Sequence, residues 1–130
     1  MQVNELISAE VASCTPDTTL TEAAKLMVAH ETGSLAVVDG DGDLIGIVTE
    51  RDVLELIADE GDPEITSVSE VMTPDPDYLE PDVDVRYAAD WMLAAGYRHL
   101  LVRNESGKLL GVLSIKDVLW GVTQGREPAL

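Results

Sequence analysis

Slid along itself by 65 residues, the chain finds its own match: residues 3–57 align with residues 68–122 without a gap, and 16 of the 55 pairs are identical. The identities include Pro16/Pro81, Ala23/Ala88, Met27/Met92, Leu35/Leu100, Gly42/Gly107, Gly46/Gly111 and Asp52/Asp117. Many other pairs exchange like for like, such as Ile47/Val112 and Thr49/Ser114. Repetition of this kind limits the fold to two copies of one supersecondary unit. A unit of about 55 residues buries too little surface to be comfortable alone, so the copies are expected to pack sheet to sheet about a pseudo-twofold axis.

Each copy carries the same local signals. A Pro-Asp turn precedes an alternating stretch that ends at Leu20 or Val85, and a helical pattern follows, with Ala23, Ala24, Met27 and Val28 matched by Ala88, Ala89, Met92 and Leu93. Leu35 to Val38 reads as a short buried strand, Asp39-Gly40-Asp41-Gly42-Asp43 as a tight turn, and Leu44 to Val48 as the return strand of a hairpin. Thr49 then opens a last helix running through Ile57. The expected class is α+β, with two tandem β-α-β-β-α units over residues 3–57 and 68–122, a linker over 58–67 and a tail over 123–130.

Charge narrows the function. Twenty-five acidic residues against eight basic ones give a formal charge of −17, so the molecule repels phosphate backbones and anionic headgroups. Neither nucleic acid nor membrane is an expected partner. No apolar run approaches the roughly 18 residues of a bilayer span, and the start MQVNELISAE lacks the pattern of a signal peptide. A cytoplasmic location is expected, and the single cysteine, Cys14, agrees with it. The acids are spread along the whole chain, which suits a salt-rich cytoplasm and points to a halophilic source.

The chemistry-bearing motif occurs twice, as Gly-Ile-Val-Thr-Glu-Arg-Asp at 46–52 and Gly-Val-Leu-Ser-Ile-Lys-Asp at 111–117. Thr49…Asp52 and Ser114…Asp117 have the spacing of a capping box at a helix start. That reading is sufficient for either pair alone. The repetition in register with a glycine, the free N–H groups of a helix N-terminus, and the shortness of Asp for the reciprocal bond point instead to a ligand. A carboxylate accepts from ribose hydroxyls, and a hydroxyl with helix N–H groups donates to phosphate.

Other signals are weaker. Asp39, Asp41, Asp43 and Glu50 fall on a calcium-loop template whose sixth position, Leu44, should be glycine, and the second copy loses the acids, so a solvated turn is expected. Cys14 reads as a core residue and His30 as a helix-end surface group. No catalytic motif and no metal-ligand cluster is present in the sequence, and neither an enzyme nor a metal protein is expected.

The two motif copies, each preceded by an apolar strand, together with Val71-Met72-Thr73-Pro74 and Tyr97-Arg98-His99-Leu100-Leu101-Val102, resemble a CBS-domain pair, or Bateman module, over about residues 3–122. No attached enzyme or transporter domain is expected within that span. The resemblance implies a regulatory module that needs no cofactor and binds AMP, ADP, ATP or S-adenosylmethionine in clefts between its two units. It further implies that pairs form homodimers and signal to a regulated protein. Asp52 and Asp117 would take the ribose, Thr49 and Ser114 the phosphate region. Adenine would lie against Leu6-Ile7-Ser8 and Val71-Met72-Thr73, making Ile7, Met72 and Thr73 candidates, with Ile47 and Val112 lining the clefts and the glycines keeping the wall low for the ligand. Arg98 and His99 match positions where the family sets basic residues on phosphates, whereas the first copy has Gly33-Ser34 there. His99 is alternatively a partly buried structural histidine. Arg51 and Lys116 are further phosphate candidates, or they face solvent. Trp91, Leu93 and Trp120 either form a dimer face or complete the core. The alternative function is a constitutive dimerisation scaffold with degenerate, empty clefts; an enzyme acting on a nucleotide is a third.

Overall fold

The computed structural model describes residues 1–124, and they form two compact units. The first unit comprises Val11–Pro76; the second comprises Met1–Glu10 together with the chain from Asp77 onward.

In the first unit, β1 (Ser13–Cys14) runs parallel to β2 (Ser34–Val38), which forms a hairpin with β3 (Leu44–Thr49). A short strand, β4 (Thr73–Pro74), closes the far edge of β3 in antiparallel register. Helices α1 (Leu20–Ala29), α2 (Glu50–Ala58) and the single turn α3 (Val68–Val71) complete it. The second unit repeats the plan: β5 (Tyr78–Leu79) is parallel to β6 (His99–Arg103), which pairs antiparallel with β7 (Leu109–Ser114), and α4 (Val85–Ala95) and α5 (Ile115–Gln124) follow their strands. A 3-10 turn at Val3–Glu5 and a bridge from Ser8 to Val112 stand where α3 and β4 stand in the first unit.

The stretch after each Pro-Asp turn is not the strand that its alternation suggests. Leu20 and Val85 are the first residues of α1 and α4, capped by the side chains of Thr19 and Asp84, and the strands lie before the turn. A side-chain acceptor beside the chain wins over period-two patterning in so short a segment. The hairpins agree with the sequence reading. Gly42 and Gly107 take φ of 82° and 88° at equivalent places, a conformation that glycine adopts without strain.

The compact units do not coincide with the sequence repeats. Val68, in the second repeat, is fully buried in the first unit's core with Leu20, Leu35, Val37 and Val48. Val3, in the first repeat, is fully buried in the second unit's core with Leu79, Met92, Val102 and Leu113. Backbone bonds show the same exchange: Val68 N–H donates to Thr18 at 2.7 Å, and Val3 N–H to Val83 at 2.9 Å. Each buried valine is worth about 1.5–3 kcal/mol, enough to anchor its segment. The connection over 58–67 is likewise part of the first unit, since Leu20 and Thr21 N–H donate to the carbonyls of Thr66 and Pro63. Of the tail, Thr123 and Gln124 continue α5, and the rest lies outside the described residues. Among the described residues no helix is long and apolar enough to cross a membrane.

Candidate functional site

Each unit places its Thr or Ser and its Asp where a sheet strand turns into a helix. At the β3–α2 junction, one carboxylate oxygen of Asp52, Oδ2, accepts from Thr49 N–H at 2.8 Å and from the Thr49 hydroxyl at 3.1 Å. The hydroxyl accepts in return from Asp52 N–H at 3.3 Å. At the β7–α5 junction the distances are 3.2, 2.8 and 3.1 Å for Ser114 and Asp117. Asp is therefore long enough to close the box, contrary to the expectation from its length, because the extended N-cap backbone, φ −123° at Thr49, brings the N–H within reach. The closed box locks the carboxylate while committing only Oδ2. No hydrogen bond among the described residues uses Oδ1 of either acid, which leaves one fixed acceptor at each junction.

The exchanged segments complete the two sites. Thr73 pairs with Ile47 and Pro74 with Gly46, so Met72-Thr73 lies beside the Asp52 strand; Ser8 exchanges two 3.1 Å bonds with Val112, so Ile7-Ser8 lies beside the Asp117 strand. Ile7 and Met72 are half-buried, as are Ile47 and Val112, and Thr73 is exposed. The glycines make room for this crossing. A Cβ on Gly46 would stand 2.5 Å from Met72 Sδ, and one on Gly111 would stand 2.5 Å from the Ser8 carbonyl oxygen. The wall is low at these points because the chain itself occupies the space.

The basic residues separate into two groups. His99 is paired across the strands with Ser114, and the Arg98 carbonyl accepts from Ile115 N–H at 2.8 Å, so the backbone of both residues lies against the Ser114–Asp117 junction, and both residues are exposed. A partly buried structural histidine is excluded by that exposure. Arg51 is drawn along its own helix, its Nε 2.9 Å from Glu55, and Lys116 is exposed on the first turn of α5. Of the sequence candidates, Ile7, Arg98, His99, Ser114 and Asp117 come together in the second unit. Met72, Thr73, Thr49 and Asp52 come together in the first.

Glu50, at the start of α2, lines a separate pocket that contains neither Thr49 nor Asp52. Glu50 N–H donates to the Gly33 carbonyl at 2.9 Å, and the Glu50 carboxyl packs over Gly33, whose Cβ position would be 3.0 Å from Glu50 Oε1. Glu31, Gly33 and Glu50 share a pocket with Met27, Val28 and Val53. In the alignment Gly33 stands against Arg98 and Glu50 against Ile115, so the contact has no counterpart in the second repeat.

Other features have local explanations. The Asp39 carboxylate accepts from Asp41 and Asp43 N–H at 2.9 and 3.0 Å, and Asn104 does the same work for Lys108 N–H at 3.0 Å in the second hairpin. A neutral residue fills the equivalent role, so Asp39 is explained as a turn former even though the three aspartates have carboxylate oxygens within 4.8 Å of one another. Cys14 is buried, and burial raises its thiol pKa. His30 caps the C-terminus of α1 in an exposed position. Trp91 packs on the second unit's core, edge-to-face with Tyr87 and Tyr97, whereas Leu93 and Trp120 are 79% and 54% exposed.

Residues 3–59 and 68–122 each match the model of the CBS domain. The chain belongs to the CBS-domain family. A relative in Acidianus ambivalens, an uncharacterized 17.7 kDa protein, is 37% identical over 118 residues, which make up 90% of this chain and 70% of that one. Further relatives are longer: the chain spans 61% of a Methanopyrus kandleri protein and 23% of the inosine-5′-monophosphate dehydrogenase of Methanocaldococcus jannaschii. Among solved structures, CBSX2 in complex with AMP superposes with a TM-score of 0.85 at 25% identity, covering 97% of this chain and 98% of that one. The CBS protein PAE2072 of Pyrobaculum aerophilum, also complexed with AMP, gives 0.82 at 25% identity over 95% and 99% of the two chains.

Proposed function

We propose that this CBS pair is a regulatory module that binds an adenosine-containing ligand of the AMP, ADP or ATP kind, and that it passes the bound state to a partner protein. The observation that carries the reading is the fixed, uncommitted Oδ1 of Asp52 and Asp117, held beside a helix N-terminus and an apolar entry segment in each unit. Ribose supplies the hydroxyls for such an acceptor, the helix end favours phosphate, and the half-buried Ile7 or Met72 offers a face to the base. The AMP complexes of CBSX2 and PAE2072 support the choice of ligand. Ligand binding acts by population shift, to the extent that it prefers one arrangement of the protein. Exposed apolar side chains on the helices, Val28 and Leu93 at 79% each and Trp120 at 54%, favour a homodimer, which also serves the second reading of a dimerisation scaffold with empty sites.

Thermal melts in molar potassium chloride distinguish the two. A ligand at about 100 times its Kd adds about 2.7 kcal/mol. AMP, ADP, ATP or S-adenosylmethionine should raise the Tm of the wild type, and Asp117→Asn should lose the AMP response. Asparagine retains the capping oxygen but presents an amide to the ribose, so the fold is kept while the acceptor is removed. No shift with any of the four compounds leaves the scaffold.

A further inference from the structure

The helices of the two units present apolar faces of opposite relief. In the first unit, α1 and α2 border a groove of about 460 Å³ lined by Leu20, Ala24, Val28, Val53, Ile57 and Pro63, with Lys25 on its wall. In the second unit, α4 and α5 pack together more extensively than α1 and α2 do, and Leu93, Leu119 and Trp120 stand out from them, 79%, 57% and 54% exposed. Leu93 is the repeat equivalent of Val28, and Trp120 that of Glu55. One face is a hollow and the other a ridge, and each leaves large apolar side chains in water.

Charge separates the same two faces. Helices α1 and α2 carry Glu22, Glu50, Asp52 and Glu55 against Lys25 and Arg51, a net 2 − 4 = −2. Helices α4 and α5 carry Arg86 and Lys116 against Asp90 and Asp117, a net 2 − 2 = 0. On a chain of −17, the ridge is thus a face that does not repel an acidic neighbour. Lys25 and Asp90 hold equivalent positions of the repeat, both exposed and opposite in sign.

A second copy can cover these faces in two ways. Like on like fails in shape and in charge: groove on groove leaves a void and sets −2 against −2, and ridge on ridge stands off with Asp90 on both sides. Groove on ridge fills the hollow, sets −2 against 0 and brings Lys25 to the side of Asp90. A two-fold axis then makes that contact twice, so one dimer covers both faces of both copies.

We infer that two copies of this chain associate head to tail, the α1–α2 groove of each receiving the α4–α5 ridge of the other. The inference rests on the homodimer reading given above and adds which face meets which. Across such a contact, α2, which begins at the Asp52 junction of one copy, shares an interface with α5, which begins at the Asp117 junction of the other.

Cross-linking of the full chain in molar potassium chloride tests it. Cys14→Ala removes the native thiol, and Val28→Cys or Leu93→Cys then places one thiol at an exposed, equivalent point of either face. A short bis-maleimide should join the co-expressed pair of variants into a covalent dimer and leave each variant alone uncoupled. Self-coupling of Val28→Cys or of Leu93→Cys overturns the head-to-tail contact while leaving the homodimer intact. A dimer by sedimentation velocity that couples in no combination overturns the groove-on-ridge contact as well. A wild type that sediments as a monomer overturns both readings. Thermal melts that match the wild type show that each variant is folded.

Discussion

A methyl group on Gly111 would stand 2.5 Å from a backbone oxygen, that of Ser8, whereas on Gly46 it would stand 2.5 Å from the sulfur of Met72. The two glycines are equivalent in the repeat, yet their neighbours differ in how far they can give. A methionine side chain swings aside; a backbone carbonyl that accepts from Val112 moves only by breaking its bond. At Gly46 the Thr73 carbonyl oxygen would also stand 3.1 Å away, a milder conflict, so Gly111→Ala should cost about 2–3 kcal/mol in urea unfolding and Gly46→Ala about 1–2 kcal/mol. Equal losses would show that the two crossings are alike. The same junctions show what is legible one residue at a time. The Thr49…Asp52 and Ser114…Asp117 spacings announced a cap and an acceptor, and the structure makes each pair both at once. That both bonds of the box fall on one carboxylate oxygen and leave the other open is a matter of geometry that spacing alone does not encode.

At the scale of elements, the hairpins and the four long helices were written in turn residues and apolar periodicity. The exchange of the entry segments was not. Sliding the chain by 65 residues pairs Val3 with Val68 whichever core each one fills, so the alignment is silent on whether a segment packs on its own repeat or on the other. The cores decide: Val68 and β4 belong with β1–β3, and Val3 and Ser8 with β5–β7. A fragment of residues 11–76 contains every strand of its sheet, whereas residues 1–67 carry the first repeat and its linker but lack β4 and the buried Val68. In molar salt the 11–76 fragment should unfold with a cooperative urea transition, and the 1–67 fragment should show a weaker, broad one by circular dichroism. A cooperative transition in 1–67 alone would show that the entry segment contributes little to the unit. Glu50 belongs to the same lesson, since its contact with Gly33 joins the start of α2 to the residue before β2, a neighbourhood created by the hairpin and not by sequence separation.

For the molecule as a whole, charge dominates. A formal charge of −17 on 130 residues opposes compaction in dilute buffer. Added salt relieves that opposition as the Debye length falls from about 10 Å at 0.1 M to about 3 Å at 1 M. The Tm should rise by several degrees between these concentrations of potassium chloride, the shift that about 1–2 kcal/mol produces in a chain of this size. Salt also strengthens apolar burial, so the rise alone does not identify screening. Charge removal does. Glu64, Glu80, Asp90 and Glu105 are exposed, and replacing them with Gln or Asn takes the charge from −17 to −17 + 4 = −13 without touching either junction. The quadruple variant should melt higher than the wild type in 0.1 M salt and gain less from added salt, with the two curves converging near 1 M. Parallel curves would assign the salt response to burial and remove self-repulsion as its cause.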